Sequence, residues 1–330
     1  MKSLGLIFLL IVIGSRDRKP AQIKIEGETM ATTYHVTYFD DDQRNFKKEI
    51  DSILKVVNRS INTYDPTSEI SVFNKSRRGI RVGLPHLVPP LKKALEVYKV
   101  SRGAFDPTVM PLVNAWGFGP KKGEGVPDSS RIDSLLTFIG LNKVFITKDS
   151  ILKTDPRVQL DFGGIGQGYG ADVIANFLKL KGVENMFVEL GGEGLALGHN
   201  LETGKAWYIG VLDPQDLDSI KAYVSLSDRA FTTSGNYYNY REVNGRRFSH
   251  IMDPTTGYPS ESPIISASVF APDCTTADAW AKVLIVSGVE KSIALLSEHP
   301  ELDAFLVYLK DGVTHTYTTK NISDQLELSK

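Results

Sequence analysis

Three stretches of the chain hold residue types that can bind phosphate, move a proton or place a charge. Gly166-Gln167-Gly168-Tyr169-Gly170-Ala171 fits G-x-G-x-x-G/A, the glycine spacing that lets a pyrophosphate reach a helix N-terminus. The strand-like run Val158 to Phe162 precedes it, and Glu189 follows at about the 20-residue interval of a dinucleotide-binding βαβ unit. Two features argue against such a domain. The unit sits mid-chain instead of opening a series of βα units, and Gly191-Gly192 adds a turn that the fingerprint lacks. What survives is a backbone suited to close approach by a diphosphate. His250, in Ser249-His250-Ile251-Met252-Asp253-Pro254, has the side chain best able to accept a proton near neutral pH. Asp253 can orient it, although an Asp-Pro pair also makes an ordinary turn. Asp278 and Lys282 stand at i and i+4, where a helix sets them on one face as an ion pair worth about 0.3 kcal/mol.

Five segments between residues 27 and 288 extend these strings. The first is Gly27-Glu28-Thr29-Met30-Ala31-Thr32-Thr33-Tyr34, and the second Asn62-Thr63-Tyr64-Asp65-Pro66-Thr67-Ser68-Glu69-Ile70-Ser71. The third, Gly103-Ala104-Phe105-Asp106-Pro107-Thr108-Val109, runs on to Trp116-Gly117-Phe118-Gly119. The fourth is Leu160-Asp161-Phe162-Gly163-Gly164-Ile165-Gly166-Gln167-Gly168-Tyr169, with Asp172 beyond it. The fifth joins Thr232-Thr233-Ser234-Gly235, His250-Ile251-Met252-Asp253-Pro254-Thr255-Thr256-Gly257 and Thr276-Ala277-Asp278-Ala279-Trp280. Taken together and in this order, the segments resemble the ApbE family, the FAD:protein FMN transferases.

The resemblance implies an α+β fold of T-fold-like mixed sheets with packed helices, in a single large domain or two intimately joined halves. It implies FAD as the substrate, with Met30 against the isoalloxazine ring, where a polarizable thioether suits, and Tyr64 near the flavin and its phosphates. Ala104, Phe105, Asp106, Gln167, Thr233 and Ile251 would complete the FAD site, and Trp116 would lie beside it. His250 and Asp253 would be the catalytic pair, and Ser68 and Glu69 would cap a short helix. A magnesium ion would sit on the Gly164 carbonyl and the Asp278 carboxylate, oxygen ligands of the kind hard cations take. Two positions depart from the family pattern: Gln167 stands where Lys is usual, and Lys282 where Thr is usual. The second puts the metal in question, since an ammonium can offset phosphate charge but cannot bridge oxygens with octahedral geometry.

The reaction so implied moves FMN from FAD, through its phosphate, to a Thr or Ser hydroxyl on a flavin-bearing subunit of a membrane redox complex, and releases AMP. Water in place of the hydroxyl would make the chain an FAD pyrophosphatase. Loss of the chemistry altogether would leave a non-catalytic FAD-binding protein.

Strand and helix signals must position these residues. Residues 22–39 read as strands, and Phe46, Ile50, Ile53, Leu54, Val57 and Ile61 recur at helical spacing. Pro89-Pro90 opens a second helix with Gly103 past its end. Strand-like runs follow at 144–147, 158–162, 186–190, 207–212 and 222–226, helices at 170–181 and 276–287, and a last strand pair at 304–309 and 313–318. Their mixture without strict alternation also points to α+β. The Gly- and Pro-rich segment 117–127 is a loop and the natural place for a division.

Composition sets the outer bounds. Hydrophobic residues make up 42% of the 330 and charged residues 23%, which suits a globular core. The net charge of −1 gives no general attraction to nucleic acid or acidic membranes. Lys2 followed by the apolar run Leu4 to Ile13 is shorter than a membrane span and matches an export signal or N-terminal anchor over residues 1–20. A periplasmic protein, free or held at the outer face of the inner membrane, is the expectation. Ser15 stands where a lipoprotein cysteine would be, and the single Cys274 excludes an internal disulfide.

Overall fold

The structure is a computed structural model that describes residues 20–121, 125–236, 239–243 and 245–329. The expected export segment therefore lies outside the described residues, apart from Pro20. The frame is an eight-stranded sheet, antiparallel at every pairing. Its order across the sheet is Ala21–Thr29, Thr32–Asp40, Met186–Leu190, Glu193–Leu197, Arg229–Gly235, Ile264–Ala271, Asp303–Lys310 and Val313–Thr318. With no parallel neighbours in this sheet, the glycine string belongs to no Rossmann unit, and the fold is α+β as expected.

Alternation along the strands separates two cores. Val269 turns to one face of the sheet and Phe270 to the other. On the first face lie the helices Gly166–Leu180 and Cys274–Ser287. The second of these helices is buried nearly all round, from Ala277 through Ile285, and so is a core helix. On the other face a three-stranded sheet of Trp207–Asp213, Asp216–Leu226 and Leu326–Leu328 seats Trp207, Ile209 and Val224 against Phe231, Phe270 and Phe305. The largest core cluster draws on residues from Val57 to Leu306, on both sides of the 117–127 loop.

Two local departures from the sequence-based expectation bear on the site. The helix expected at 170–181 begins at Gly166. Its glycines, poor helix formers by propensity, are there because the neighbouring helix and hairpin leave no room for a side chain. A Cβ on Gly168 would lie 2.4 Å from the Cys274 carbonyl oxygen, and one on Gly170 would lie 3.3 Å from Met30 Cε. Residues 158–162 are extended, with Val158, Leu160 and Phe162 buried in alternation, but they form no strand of a sheet. Among the described residues, backbone pairing is limited to one parallel bridge, Gln159 with Val109, and side chains supply further bonds. Asn74 bonds both the N–H and the carbonyl of Leu160, and the Lys153 ammonium donates to the Val158 carbonyl.

Candidate functional site

A cavity of about 530 Å³ opens beside the N-terminal end of the Gly166–Leu180 helix, a size that suits a cofactor or other small ligand. The hairpin that leads into the sheet supplies its first wall. Thr29 pairs with Thr32 across the two-residue turn Met30-Ala31, whose φ values are 51° and 60°. Such a turn ordinarily uses Gly or Asn. Holding two side-chain-bearing residues there costs about 1–2 kcal/mol each, and this strain aims Met30 into the cavity, where strained backbone commonly marks function.

The other walls come from turns between elements. Tyr64 follows the helix Lys47–Ile61 and stands on the rim, 66% exposed, its hydroxyl donating to the Phe118 carbonyl at 3.0 Å. Ala104, Phe105 and Asp106 form the wall after the helix Val88–Val100. Gly164 and Gln167 line the turn into the glycine helix, and His250 and Ile251 close the far side. A Cβ on Gly164 would lie 3.2 Å from the Phe105 ring and 3.5 Å from Lys282 Cγ. The absence of a side chain there is what lets the aromatic wall and the lysine stem meet over the turn.

His250 has the geometry of a proton acceptor. Its Nδ1 lies 2.9 Å from the Asn239 carbonyl, a partner that can only accept. The ring proton therefore sits on Nδ1, and Nε2 keeps its lone pair. Burial holds the imidazolium below the usual histidine range; the Asn239 carbonyl opposes this, and the Lys282 charge adds to it. The ring is neutral at pH 7.

Beneath the cavity wall lies a buried ionic cluster. Asp278, 1% exposed, accepts the Gly168 N–H on Oδ2 at 3.0 Å and the Lys282 ammonium on Oδ1. Glu193 is also buried, and its Oε2 has no hydrogen-bond partner among the described residues. Burial, and after it the Asp278 charge, push the Glu193 carboxyl well above its ordinary value, which favours the protonated form. Burial works against the Lys282 charge, but the Asp278 carboxylate beside it opposes this, and the ammonium is raised.

The sequence-based site residues thus divide. Met30, Tyr64, Ala104, Phe105, Asp106, Gly164, Gln167, His250 and Ile251 line one cavity, and Lys282 joins them. Asp106 reaches it with little to offer a ligand from its carboxylate, whose oxygens accept from Thr108 N (2.8 Å), Thr108 Oγ1 (2.6 Å) and Leu141 N (3.2 Å). Burial nevertheless pushes that carboxyl up to about 6. Thr233 lies on the sheet, its hydroxyl 2.8 Å from that of Ser268, and does not line the cavity. Asp253 does not line it either. Its carboxylate accepts the Thr255 N–H in a local turn at 2.8 Å. Trp116 is core, donating from Nε1 to the Gly257 carbonyl at 2.9 Å. Ser68 caps the helix Glu69–Lys75, while Glu69 accepts instead from Gly83 and Leu84. Two acidic residues escaped the sequence reading: Asp161, on the cavity wall with burial raising its carboxyl, and Glu193. The signal for Asp161 was its place inside the Leu160-Asp161-Phe162-Gly163-Gly164 string. Glu193 gave none beyond a lone charge entering an apolar strand.

A divalent cation on Gly164 and Asp278 needs a carboxylate oxygen as ligand. Each Asp278 oxygen already accepts one donor, Gly168 N–H or the Lys282 ammonium, so a dication there would have to compete with a resident positive charge. No group of three or more His, Cys, Asp or Glu among the described residues stands ready as a metal shell. The donor set present does not fit the ion.

Comparison with known proteins gives a consistent result. The model of the ApbE family matches residues 30–306. A curated relative from Vibrio cholerae serotype O1, an FAD:protein FMN transferase, is 36% identical over 92% of this chain and 92% of its own. Another FAD:protein FMN transferase, from Haemophilus influenzae, is 34% identical over 96% of this chain and 94% of its own. Among solved structures, the flavin transferase ApbE from Vibrio cholerae superposes with a TM-score of 0.84 at 31% identity, covering 93% of this chain and 99% of the other. The apo form of the Pseudomonas stutzeri flavinyl transferase ApbE gives 0.84 at 32%, covering 93% and 97%.

Proposed function

The chain belongs to the ApbE family, and from that premise we propose that it binds FAD in this cavity and transfers the FMN half to a partner protein. Phosphoryl transfer asks little covalent chemistry of a protein; it asks for an in-line nucleophile and positive charge over the phosphate oxygens. A Thr or Ser hydroxyl oxygen of the partner attacks the FMN phosphorus. The new O–P bond forms as the bond to the bridging oxygen breaks, and AMP leaves with that oxygen. His250 Nε2 takes the hydroxyl proton and returns it to solvent or to the departing phosphate. Met30, Tyr64 and Phe105 supply the flavin's surroundings, and Lys282 the charge facing the diphosphate. No step requires a metal ion.

The observation that carries this reading is His250: an imidazole whose Nδ1 is held by the Asn239 carbonyl, in the wall of a cofactor-sized cavity. Supporting the finer reading of the partner is the apolar N-terminal run, Leu4 to Ile13, which suits export. On that ground the acceptor is a subunit of a membrane redox complex exposed outside the cytoplasm. Incubation with FAD and such a subunit, followed by gel fluorescence, tests the reaction. A fluorescent acceptor band with AMP in solution is the expected result. Free FMN and AMP with an unlabelled acceptor would mean hydrolysis, and unchanged bound FAD a binding protein. Fractionation of cells that make the full chain tests the compartment, with recovery outside the cytoplasm expected.

A further inference from the structure

The pairing of Asp278 with Lys282 has a consequence for the chemistry of the cavity. The two lie one turn apart on the buried helix Cys274–Ser287, so the ammonium cannot leave the carboxylate without a rotamer change inside a packed core. The lysine stem crosses Gly164, with Cγ and Cε 3.5 and 3.7 Å from where a Cβ would stand. The side chain, 17% exposed, emerges into the cavity wall. An ammonium has three donors. Among the described residues Asp278 is its one hydrogen-bond partner, which leaves two donors for oxygens on the cavity side.

A divalent ion at this carboxylate would have to compete with the Lys282 ammonium for Asp278 and would lie against its positive charge. That repulsion opposes metal binding and favours keeping the lysine in place.

We propose that Lys282 is a tethered substitute for a divalent cation. Resting on the FAD reading above, its ammonium meets the diphosphate oxygens directly, and the FAD complex forms without a metal ion. The charge delivered is smaller than that of a dication, but it carries no coordination shell to organise and is already in place before FAD arrives.

The test uses the intact protein and two readouts other than turnover. Quenching of FAD fluorescence measures affinity in EDTA and in excess Mg2+. Loss of the free Mn2+ resonance signal measures metal uptake by the FAD complex. For the wild type, FAD affinity is expected to agree within about twofold between the two media, with no stoichiometric Mn2+ uptake. Lys282→Thr removes a charged hydrogen bond, so its affinity in EDTA is expected to fall by about tenfold or more. Mg2+ should then restore most of it, with one Mn2+ taken up per chain. Lys282→Gln, which keeps the stem packed over Gly164, serves where the threonine variant folds poorly; it should lose affinity without gaining the metal. One Mn2+ bound per wild-type FAD complex, or loss of wild-type FAD binding in EDTA, overturns the inference while leaving the FAD reading intact. No FAD binding in either medium overturns the FAD reading, and this inference with it.

Discussion

Two carboxylates, Asp278 buried and Asp172 half-buried, serve one helix, Cys274–Ser287, in opposite ways. Asp172, on the neighbouring helix, accepts the N–H groups of Cys274 and Thr275 at 2.8 Å each and the Thr275 hydroxyl as well. These are the orphan donors of a helix start, and Asp273 takes those of Thr276 beside them. Asp278, farther along the same helix, gives one oxygen to the Gly168 backbone and the other to the Lys282 ammonium at the cavity wall. The contrast separates scaffold from site. An acid whose partners come from the backbone and a capping hydroxyl holds elements together. One neutralised by a side chain that also faces a cavity leaves charge available to a ligand.

The largest effect that would break this division is expected at His250. His250→Ala should lower the rate of flavin transfer by about 10²- to 10⁴-fold, the range for loss of a general base. FAD affinity should stay close to wild type, as read by fluorescence quenching. A large drop in melting temperature instead would place His250 with the scaffold. Next in size is Asp172→Ala, which strands two backbone N–H groups and a hydroxyl at a buried helix start. A loss of about 3 kcal/mol is expected in urea unfolding, with FAD affinity retained by the protein that remains folded.

Acidity sharpens the comparison. Burial pushes Asp172 up to about 6, against the hydrogen bonds from Thr275 and Cys274 that oppose it. A carboxyl whose folded pKa is raised binds its proton more tightly in the native state. Its stabilising contribution is complete below the unfolded value and is lost as pH rises to the folded one. Wild-type stability should therefore decline from this source between about pH 4 and pH 6. Asp172→Asn, measured by urea unfolding across that window, should show a shallower decline than wild type. His250 behaves in the other sense. Its lowered pKa keeps the base neutral, so the acid limb of the transfer rate should have its midpoint below the ordinary histidine value of about 6.5. The smallest effect is expected at the hairpin: Ala31→Gly relieves one left-handed residue and should stabilise by about 1 kcal/mol, seen as a higher melting temperature. Equal stability would show that the turn stores no strain.

Much of the cavity was legible in the sequence because its residues lie in short strings of fixed composition at turns. Met30, Tyr64, Phe105, Gly164 and His250 come from five separate strings and meet in one space. What was not legible depends on three-dimensional packing. The glycines at 166 and 168 precede the helix expected at 170–181, yet tight helix and hairpin contacts make them its first turn. Val158 to Phe162 alternates like a strand but joins no sheet; one parallel bridge to Val109 and bonds from the Asn74 and Lys153 side chains hold it. Thr233 and Asp253 share strings with cavity residues but point their polar groups into the sheet and a turn. Glu193 is a lone charge whose importance comes only from the Asp278–Lys282 pair it lies near, which no local pattern announces.

In the proposed reaction this cavity holds FAD while His250 takes a proton from a partner's hydroxyl. Mass spectrometry of an acceptor incubated with FAD at pH 7, run in parallel for the wild type and His250→Ala with bound FAD measured in each, tests it most directly. The wild type should add FMN to the acceptor and release an equal amount of AMP, and the variant should hold FAD yet leave the acceptor unmodified. Labelling by the variant at the wild-type rate, or an unmodified acceptor beside FAD-loaded wild type, would contradict it.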